Sequence, residues 1–279
     1  MLRNYLHIMV DENRIRTFVL DIKGFSGSVD WDVTKALVFH IGEGRRDNEK
    51  AAGELAVLIE KGLLRPGTVI VHGTAFSDAD FQKVAEAGAK LVWSPQSNLV
   101  LYSQTTDIKS ALAHGVPVSL GVDWNLTGSD NVFDELRVAE QVNEEQFDNA
   151  IPASDWVKMI TLRPAQALAL DGFIGSLASG KKADITVLKS KDPDPGQSLL
   201  KTHLQDVQMV WVGGDLLYGQ RSVLDKVKPG KCEALVVAGS NKEVCVADPD
   251  PDVPKSEQTL QDIRSALEPK VGSLAPLAP

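Results

Sequence analysis

The sequence lacks several features that would place it in a specialised class of protein. No apolar run approaches the roughly 20 residues that span a bilayer, and residues 1–7 contain no apolar core of the secretory type. Its two cysteines, Cys232 and Cys245, are too few for a disulfide-rich scaffold and do not have the spacing of a metal site. We therefore expect a cytoplasmic protein.

The sequence also has few basic residues relative to its acidic ones. The 29 basic residues are outnumbered by 38 acidic ones, which gives a formal net charge of −9. Because an acidic surface repels phosphate backbones and anionic lipids, we expect neither nucleic acid nor membrane as a main partner. With 43% of its 279 residues hydrophobic, the chain can bury one large core, or one large and one small core.

Short apolar runs alternate with stretches of helical periodicity between about residues 15 and 170. The runs lie at residues 15–22, 36–40, 68–72, 90–93 and 117–122. Three of them are almost continuously apolar, which is typical of strands buried on both faces of a parallel sheet. Ser77 is a predicted helix N-cap, and Gly88 and Gly115 are predicted to end helices in the left-handed conformation. The alternation predicts βαβ units and an α/β fold.

The pattern changes after residue 170. An alternating segment at 174–188 and a hairpin with a glycine turn at 207–218 predict a small β domain, with a proline-rich loop at 191–196 between them. A further hairpin is predicted at 232–246, turning at 239–241, and irregular structure at 247–256. We predict a domain at 1–170, a small β domain at 171–225, and a C-terminal hairpin with an irregular tail at 226–279.

Three polar side chains of types that bind metals stand at the ends of predicted strands. His40 and His72 each end an apolar run, and Asp123 ends a third. The carboxyl ends of parallel strands form the ligand-binding rim of α/β folds, so these side chains should face one place. Two imidazoles and a carboxylate suit a zinc-type ion, and the carboxylate can take a proton from water. One histidine at a strand end is usually structural, but all three, with Glu43 nearby, favour a site.

Residues 94–98, Ser-Pro-Gln-Ser-Asn, follow the predicted strand at 90–93. They are interpreted as a rigid loop on the rim that presents Asn98 inward, and a turn with local side-chain bonding is the alternative. His7, His114 and His203 are interpreted as structural or surface residues.

Six motifs follow one another in order between about residues 36 and 219. They are His40-Ile-Gly-Glu43, Val71-His72-Gly73-Thr74, Trp93-Ser-Pro-Gln-Ser-Asn98, Leu120-Gly-Val-Asp123, Ala165-Gln-Ala-Leu168 and Gly175-Ser-Leu-Ala-Ser-Gly-Lys-Lys-Ala-Asp184. This pattern resembles the amidohydrolase superfamily, in the branch of cytosine deaminase, the chlorohydrolases and the adenosine-type and guanine-type deaminases. The resemblance implies a (β/α)₈ TIM barrel with a small β sandwich, and therefore a metal-dependent hydrolase.

The resemblance also implies roles for individual residues. His40 corresponds to the histidine of the fifth barrel strand, His72 to the metal ligand of the sixth, and Asp123 to the ligand and proton shuttle of the eighth. Glu43 corresponds to the acid that protonates the substrate, and Asn98 to a polar position near the pocket. The implied cofactor is one divalent metal, zinc first and iron second. The implied reaction is hydrolysis of a carbon–nitrogen or carbon–halogen bond in a cyclic amide or amidine.

The sequence departs from the family pattern at its start. The His-x-His motif of the first strand is absent, and only about 35 residues precede the strand that ends at His40. At roughly 30 residues per unit, about three of eight strand–helix units are missing. We therefore expect an incomplete barrel of about five units, weakened metal binding and low activity of the isolated chain.

Three explanations for the missing units are a truncated chain, one piece of a split enzyme and a repurposed protein without catalysis; we favour truncation. A non-catalytic subunit that completes a barrel with a partner is the alternative function. A homo-oligomer or a complementing N-terminal chain is the expected assembly. Trp124, directly after Asp123, either narrows the pocket or stacks on a substrate ring, or else anchors the core behind the rim.

Overall fold

A computed structural model of the chain describes residues 14–18, 22–227, 231–247 and 258–271. The chain forms two compact units. The parallel unit comprises the described residues up to Ser176 together with Asp194–Leu200, and the antiparallel unit comprises Leu177–Pro193 and the described residues from Lys201 onward. The three-part domain division expected from the sequence stays a prediction.

The parallel unit is built on a five-stranded sheet. Its strands are β1 (Ile15–Phe18), β2 (Ala36–Ile41), β3 (Thr68–His72), β4 (Lys90–Trp93) and β5 (Val118–Leu120). They lie side by side in chain order and every pairing is parallel. α-Helices lie between the strands from β2 to β5, whereas the described part of the β1–β2 connection contains a 3₁₀ turn. The predicted fold class, an α/β fold with a five-stranded part of a TIM barrel, is confirmed.

Nine helices of the parallel unit lie within the described residues. They are α1 (Glu49–Ala52), α2 (Glu54–Glu60), α3 (Asp78–Glu86), α4 (Pro95–Tyr102), α5 (Ile108–Ala113), α6 (Val132–Gln146), α7 (Ala153–Ile160), α8 (Leu162–Ala167) and α9 (Pro195–Leu200). A 3₁₀ turn, Ile22–Gly24, follows β1, and the end of the predicted strand at 19–21 lies outside the described residues. Ser77 is the N-cap of α3, as predicted: it precedes the helix with an extended backbone, and its N–H donates to Asp80 Oδ2 at 3.1 Å.

Two segments predicted to be loops are helices. Residues 95–98 form the first turn of α4, with Pro95 at its first position, where the fixed φ of proline favours a helix and no N–H is needed. The prediction of a rim loop at 94–98 is therefore wrong. The predicted loop at 191–196 is also wrong in its last part, because α9 begins at Pro195. In both cases a proline that starts a helix was interpreted as a turn residue.

The largest fully buried apolar side chains of the parallel sheet share one of its faces. Leu37, Phe39 and Ile41 of β2 are fully buried, as are Ile70 of β3 and Leu91 of β4. Burial of a side chain of this size contributes about 1.5–3 kcal/mol. Val38, Val71 and Val92 lie on the opposite face and are only partly buried. The strands therefore appear in the sequence as continuous apolar runs, although the opposite face is less completely buried.

The antiparallel unit contains a second five-stranded sheet. Its strands are β6 (Ile185–Leu188), β7 (Val207–Val212), β8 (Asp215–Gly219), β9 (Glu233–Val237) and β10 (Ser240–Val244), in the order β6-β7-β8-β10-β9. It also contains a 3₁₀ turn, Leu204–Asp206, and the helices α10 (Arg221–Val227) and α11 (Leu260–Val271). In the described part of the chain, no helix is both long enough and apolar enough to cross a bilayer.

Both predicted hairpins of this unit are present. β7 and β8 are joined by Gly213 and Gly214, which both have positive φ, as the predicted two-residue turn requires. β9 and β10 turn at Ala238-Gly239, one residue earlier than predicted. The predicted irregular segment at 247–256 lies almost entirely outside the described residues, and α11 occupies part of the tail that was predicted to be irregular.

A disulfide joins the two cysteines, to which the sequence assigned no role. Cys232 precedes β9 and Cys245 follows β10, so the bond closes the open end of the hairpin. Cys245 is buried against Leu216 and Leu224, and these three side chains form a small core cluster. The bond therefore ties the two strands of the hairpin to each other, and the packing of Cys245 connects the hairpin to β8 and α10.

We expect Ile70→Ala to lower the free energy of unfolding by about 2–5 kcal/mol, because it leaves a cavity in the centre of the parallel sheet. Ile59→Ala is the matched control, since Ile59 lies on α2 and is 42% exposed. Urea denaturation followed by circular dichroism measures both variants. Equal losses in the two would contradict the assignment of Ile70 to the core.

Candidate active site

Four of the residues singled out in the sequence meet at the carboxyl ends of the parallel strands. His72 Nε2 lies 3.6 Å from Glu43 Oε2 and 3.8 Å from Asp123 Oδ2. The His40 ring lies beside the His72 ring, with centroids 5.2 Å apart and planes tilted by 41°. Strands β2, β3 and β5 carry these groups to one rim, although up to 83 positions separate them in the sequence (40 to 123).

The backbone at the end of β3 turns sharply. His72 has a φ of 75°, in the left-handed region that residues with a side chain seldom adopt, and Gly73 follows with 63°. Two hydrogen bonds hold this turn: Gly73 N–H donates to Ile41 O at 2.9 Å, and the Thr106 hydroxyl donates to His72 O at 2.6 Å. Such strain persists where surrounding contacts enforce it, and it is common at functional sites.

Glu43 is positioned by a glycine turn at the end of β2. Gly42 has a φ of 67°, and a Cβ at this position would lie 2.6 Å from Phe76 Cε1. Its N–H donates to Glu54 Oε2 at 2.8 Å, which connects the turn to α2. Only glycine therefore fits between β2 and Glu43 without a shift of the backbone or of Phe76.

The imidazole of His72 is neutral near pH 7. Its side chain is only 1% exposed, and burial lowers its pKa below the usual value of 6.5, outweighing the opposite effects of Glu43 and Asp123. The nearby His40 also lowers the pKa. A neutral imidazole can donate a lone pair, so His72 is in the protonation state that a metal ligand needs.

Asn98 and Trp124 have very different surroundings. Asn98 is fully buried, and its amide nitrogen lies 3.0 Å from His72 Nδ1. Trp124 is 65% exposed in the segment after β5, which excludes the alternative of a core anchor. Contact of either residue with a substrate stays a prediction.

Tyr102, which the sequence did not point to, completes the surroundings of Glu43. It is the last residue of α4, and its hydroxyl donates to Glu43 Oε1 at 3.1 Å. Burial, followed by the negative charge of Glu43, raises the pKa of Tyr102 to about 12, so the phenol remains a donor. The sequence could have placed Tyr102 near the rim only if residues 95–102 had been predicted to form a helix.

Glu135 is a second residue that the sequence did not reveal. It is fully buried on α6, and its carboxylate accepts from the N–H of Gln96 at 3.1 Å and of Ser129 at 3.4 Å. It thereby connects the start of α4 to the segment that follows Asp123. Glu135 stands between Phe133 and Leu136, among the residues that form the buried face of α6. A carboxylate at such a position is the sequence signal that could have identified it.

The donor groups present suit a divalent metal by their chemistry. A neutral imidazole with two carboxylates beside it supplies the nitrogen and oxygen ligands that zinc accepts. Among the residues that the structure describes, however, no group of three or more histidine, cysteine, aspartate or glutamate side chains is close enough together to hold a metal ion. The three predicted ligands are thus neighbours without forming a complete coordination shell.

A comparison with protein-family models decides the classification. Residues 32–217, more than half of the chain, match the model of the amidohydrolase family. The chain belongs to the amidohydrolase family. The matched residues of this amidohydrolase contain all of the candidate site residues, from His40 to Trp124.

Curated relatives of this amidohydrolase are nucleoside deaminases. It is 31% identical over 209 residues to the 5′-deoxyadenosine deaminase of Methanothermobacter thermautotrophicus, covering 68% of this chain and 48% of that protein. It is 29% identical to the 5-methylthioadenosine/S-adenosylhomocysteine deaminase of Caldanaerobacter subterraneus, covering 66% of this chain and 46% of that protein. The chain therefore spans about half the length of the curated relatives it matches.

A solved structure supports the same classification. The crystal structure of an adenosine deaminase from Xanthomonas campestris, with bound zinc, matches with a TM-score of 0.60 and 25% identity. The match covers 65% of this amidohydrolase and 45% of that chain. That structure, a member of the same fold, holds zinc.

We expect Gly42→Ala to destabilise the protein more than Gly62→Ala does. Both glycines have a φ of 67°, but a Cβ at Gly62 meets no atom within 4 Å, whereas one at Gly42 collides with Phe76. Gly62→Ala therefore measures the effect of the backbone strain alone. The two variants should differ by about 1–3 kcal/mol in their loss of unfolding free energy, and this difference measures the collision with Phe76. Chemical denaturation measures it, and equal losses would contradict the tight packing at Gly42.

We expect Glu135→Gln to change how stability depends on pH. Burial raises the pKa of Glu135 above its usual value of 4.5, so the folded state binds this proton more tightly than the unfolded state. The wild type should therefore lose stability relative to the variant as pH rises from about 4.5 through the raised pKa. Denaturation curves recorded across this pH range measure the effect. Glu60→Gln is the control, because Glu60 is exposed. If the free energy of unfolding of wild type and of Glu135→Gln changed in parallel with pH, the prediction would be contradicted.

Proposed function

We propose that this amidohydrolase hydrolyses a carbon–nitrogen bond of a cyclic amide or amidine and releases the amino group carried by a ring carbon, as a deaminase does. The observation that carries the proposal is the convergence of Glu43, His72 and Asp123 on one strand-end rim. The named activities of its relatives, deamination of 5′-deoxyadenosine and of 5-methylthioadenosine or S-adenosylhomocysteine, support this substrate class. A chlorohydrolase-type reaction at a ring carbon uses the same groups.

Each side chain has a role that follows from its surroundings. Asp123 is partly exposed, so its carboxylate can reach a water molecule and take a proton from it. Glu43 is also partly exposed and can deliver a proton to the nitrogen next to the carbon under attack. Tyr102 holds the carboxyl of Glu43 in place through its hydroxyl. Trp124, exposed beside Asp123, is available to contact a flat substrate ring.

The cofactor in this proposal is one divalent metal, with zinc as the first candidate and iron as the second. His40, His72 and Asp123 would hold it, and when bound it would supply an activated water by lowering that water's pKa. Three ligands without a strand-one pair form an incomplete set, so the proposal includes weak metal binding by this chain. Neutral His72 supports the proposal, since a protonated ring could not bind.

The remaining expectations stay predictions. They are a cytoplasmic location, a small-molecule substrate, and assembly as a homo-oligomer or with a complementing N-terminal chain. A purely non-catalytic subunit is not favoured, because the named relatives are enzymes.

We expect the purified chain to bind zinc weakly and to release little ammonia from a panel containing adenosine, 5′-deoxyadenosine, 5-methylthioadenosine and guanine. Asp123→Asn should reduce any measured turnover by about 10²–10⁴-fold, because the carboxylate that takes the proton is lost. Exposed Glu60→Gln is the control and should leave turnover unchanged.

Two outcomes would contradict the proposal in different ways. Turnover that survives Asp123→Asn would exclude the assigned role of this carboxylate. Tight stoichiometric zinc binding, measured by calorimetry, would contradict the expected weakness of the metal site while leaving the reaction class in place.

A further inference from the structure

The N-terminus of α11 is held by a side chain from β9. The carboxylate of Glu233 accepts from the N–H of Leu260 at 2.6 Å and from the N–H of Gln261 at 3.1 Å. The first N–H groups of a helix have no partner within the helix, and a negative charge beside them is favourable. Glu233, the first residue of β9, therefore attaches α11 to this strand.

Most of α11 is open to solvent. Of residues 261–270, all but Ile263 are exposed. The helix has 12 residues and contains Pro269, which lacks the N–H that a helix needs. Because isolated helices shorter than about 12–15 residues are marginal in water, α11 depends on its attachment to stay folded.

The disulfide fixes the residue that makes this attachment. Cys232 directly precedes Glu233, and its bond to Cys245 closes the open end of the β9–β10 hairpin. Cys245 is fully buried against Leu216 and Leu224. Cys232 is thereby anchored to the core of the antiparallel unit, and Glu233 is held where its carboxylate reaches α11.

The position of β9 in the sheet makes its start sensitive to loss of this bond. β9 is an edge strand, and among the described strands it pairs with β10 alone. Glu233 lies opposite Val244 in the last pair of this ladder, at the open end of the hairpin. The ends of a strand with one neighbour open more easily than its centre. Without the disulfide, the pair of Glu233 and Val244 is the first part of the hairpin to open.

The disulfide can be attacked at one of its two cysteines. Cys232 is partly exposed, whereas Cys245 is fully buried. A dithiol attacks Sγ of Cys232 as the thiolate, which forms a mixed disulfide and releases Cys245 as a thiolate that takes up a proton. The second thiol of the reagent then displaces Cys232. Two protein thiols form, and the dithiol gives up two electrons and becomes a disulfide.

We propose that the Cys232–Cys245 disulfide is a redox-sensitive attachment point for α11. While the bond is intact, Glu233 caps α11 and the helix stays docked; after reduction by a dithiol, the start of β9 opens and α11 detaches and unfolds. In the cytoplasm, the location predicted for this chain, disulfides are uncommon and those present usually respond to thiol reductants. This role is independent of the reaction proposed above.

Detachment of α11 also alters a cavity of the antiparallel unit. Arg264 of α11 lines a cavity of about 340 Å³ together with residues of β9, β10 and α10. The cavity loses one of its walls when α11 leaves, so the redox state of the two cysteines also sets the shape of this space.

Hydrogen–deuterium exchange of the whole chain, followed by mass spectrometry, measures the docking of α11 before and after reduction with dithiothreitol. We expect the amides of residues 258–271 to exchange at least about tenfold faster after reduction, because a detached short helix no longer protects them. The amides of β6, at the other edge of the same sheet, should exchange at an unchanged rate. Equal exchange of α11 in both states, or an equal acceleration in β6, would overturn the proposal.

The mass of the intact chain establishes the starting state. Purified without reductant, the chain should be two hydrogen atoms lighter than after reduction. A chain that is purified in this way with two free thiols would also overturn the proposal.

Two variants separate the disulfide from the carboxylate. Cys232→Ala removes the bond but leaves Cys245 in its core cluster, so α11 should exchange quickly with or without dithiothreitol. Glu233→Ala keeps the bond and removes the cap, so α11 should exchange in the oxidised variant as fast as in the reduced wild type. Lys231→Ala is the matched control, because Lys231 is exposed on the other side of Cys232, and it should behave as wild type.

Slow exchange of α11 in oxidised Glu233→Ala would disprove the link through this carboxylate. If a variant fails to fold, as thermal melting would show, the comparison of oxidised and reduced wild type still decides, since it needs no substitution.

Discussion

The left-handed backbone at the end of β3 is the constraint on which the candidate site depends. At a φ of 75°, His72 leaves the strand direction and its ring lies between Glu43 and Asp123. The Thr106 hydroxyl stabilises this turn by donating to His72 O, and Gly73 stabilises it by donating to β2. The oxygen of the same hydroxyl lies 3.2 Å from Asn98 Oδ1, so the turn and the buried amide beside the histidine ring share one contact.

The site combines a buried base with more accessible acids. His72 is almost completely buried and neutral, while Glu43 and Asp123 remain partly open to solvent. This arrangement suits proton transfer, because the groups that exchange protons with water and substrate can reach them. Tyr102 of α4 donates directly to the carboxylate of Glu43, and Glu135 of α6 connects the start of α4 to the segment that follows Asp123.

Periodic and motif-like features were predictable from the sequence. The parallel strands follow from apolar runs that end in polar residues, and the β7–β8 hairpin follows from its two glycines. The helix α4 was missed because serine, proline and asparagine favour turns as well as helix starts, and only the packing of the segment decides between them. The disulfide was missed because spacing alone does not show that Cys232 and Cys245 flank paired strands.

The sequence by itself determined the alternation of strands and helices, the positions of His40, Glu43, His72 and Asp123 at strand ends, and the family. Local patterns carry this information, because side-chain periodicity and strand ends are properties of short segments. Only the tertiary structure decided that Asn98 contacts the histidine ring, that Tyr102 bonds to Glu43, and that Glu135 connects two segments of the rim. These partners lie 26 to 59 positions apart in the chain, and hydrogen bonds over such separations leave no periodic pattern in the sequence.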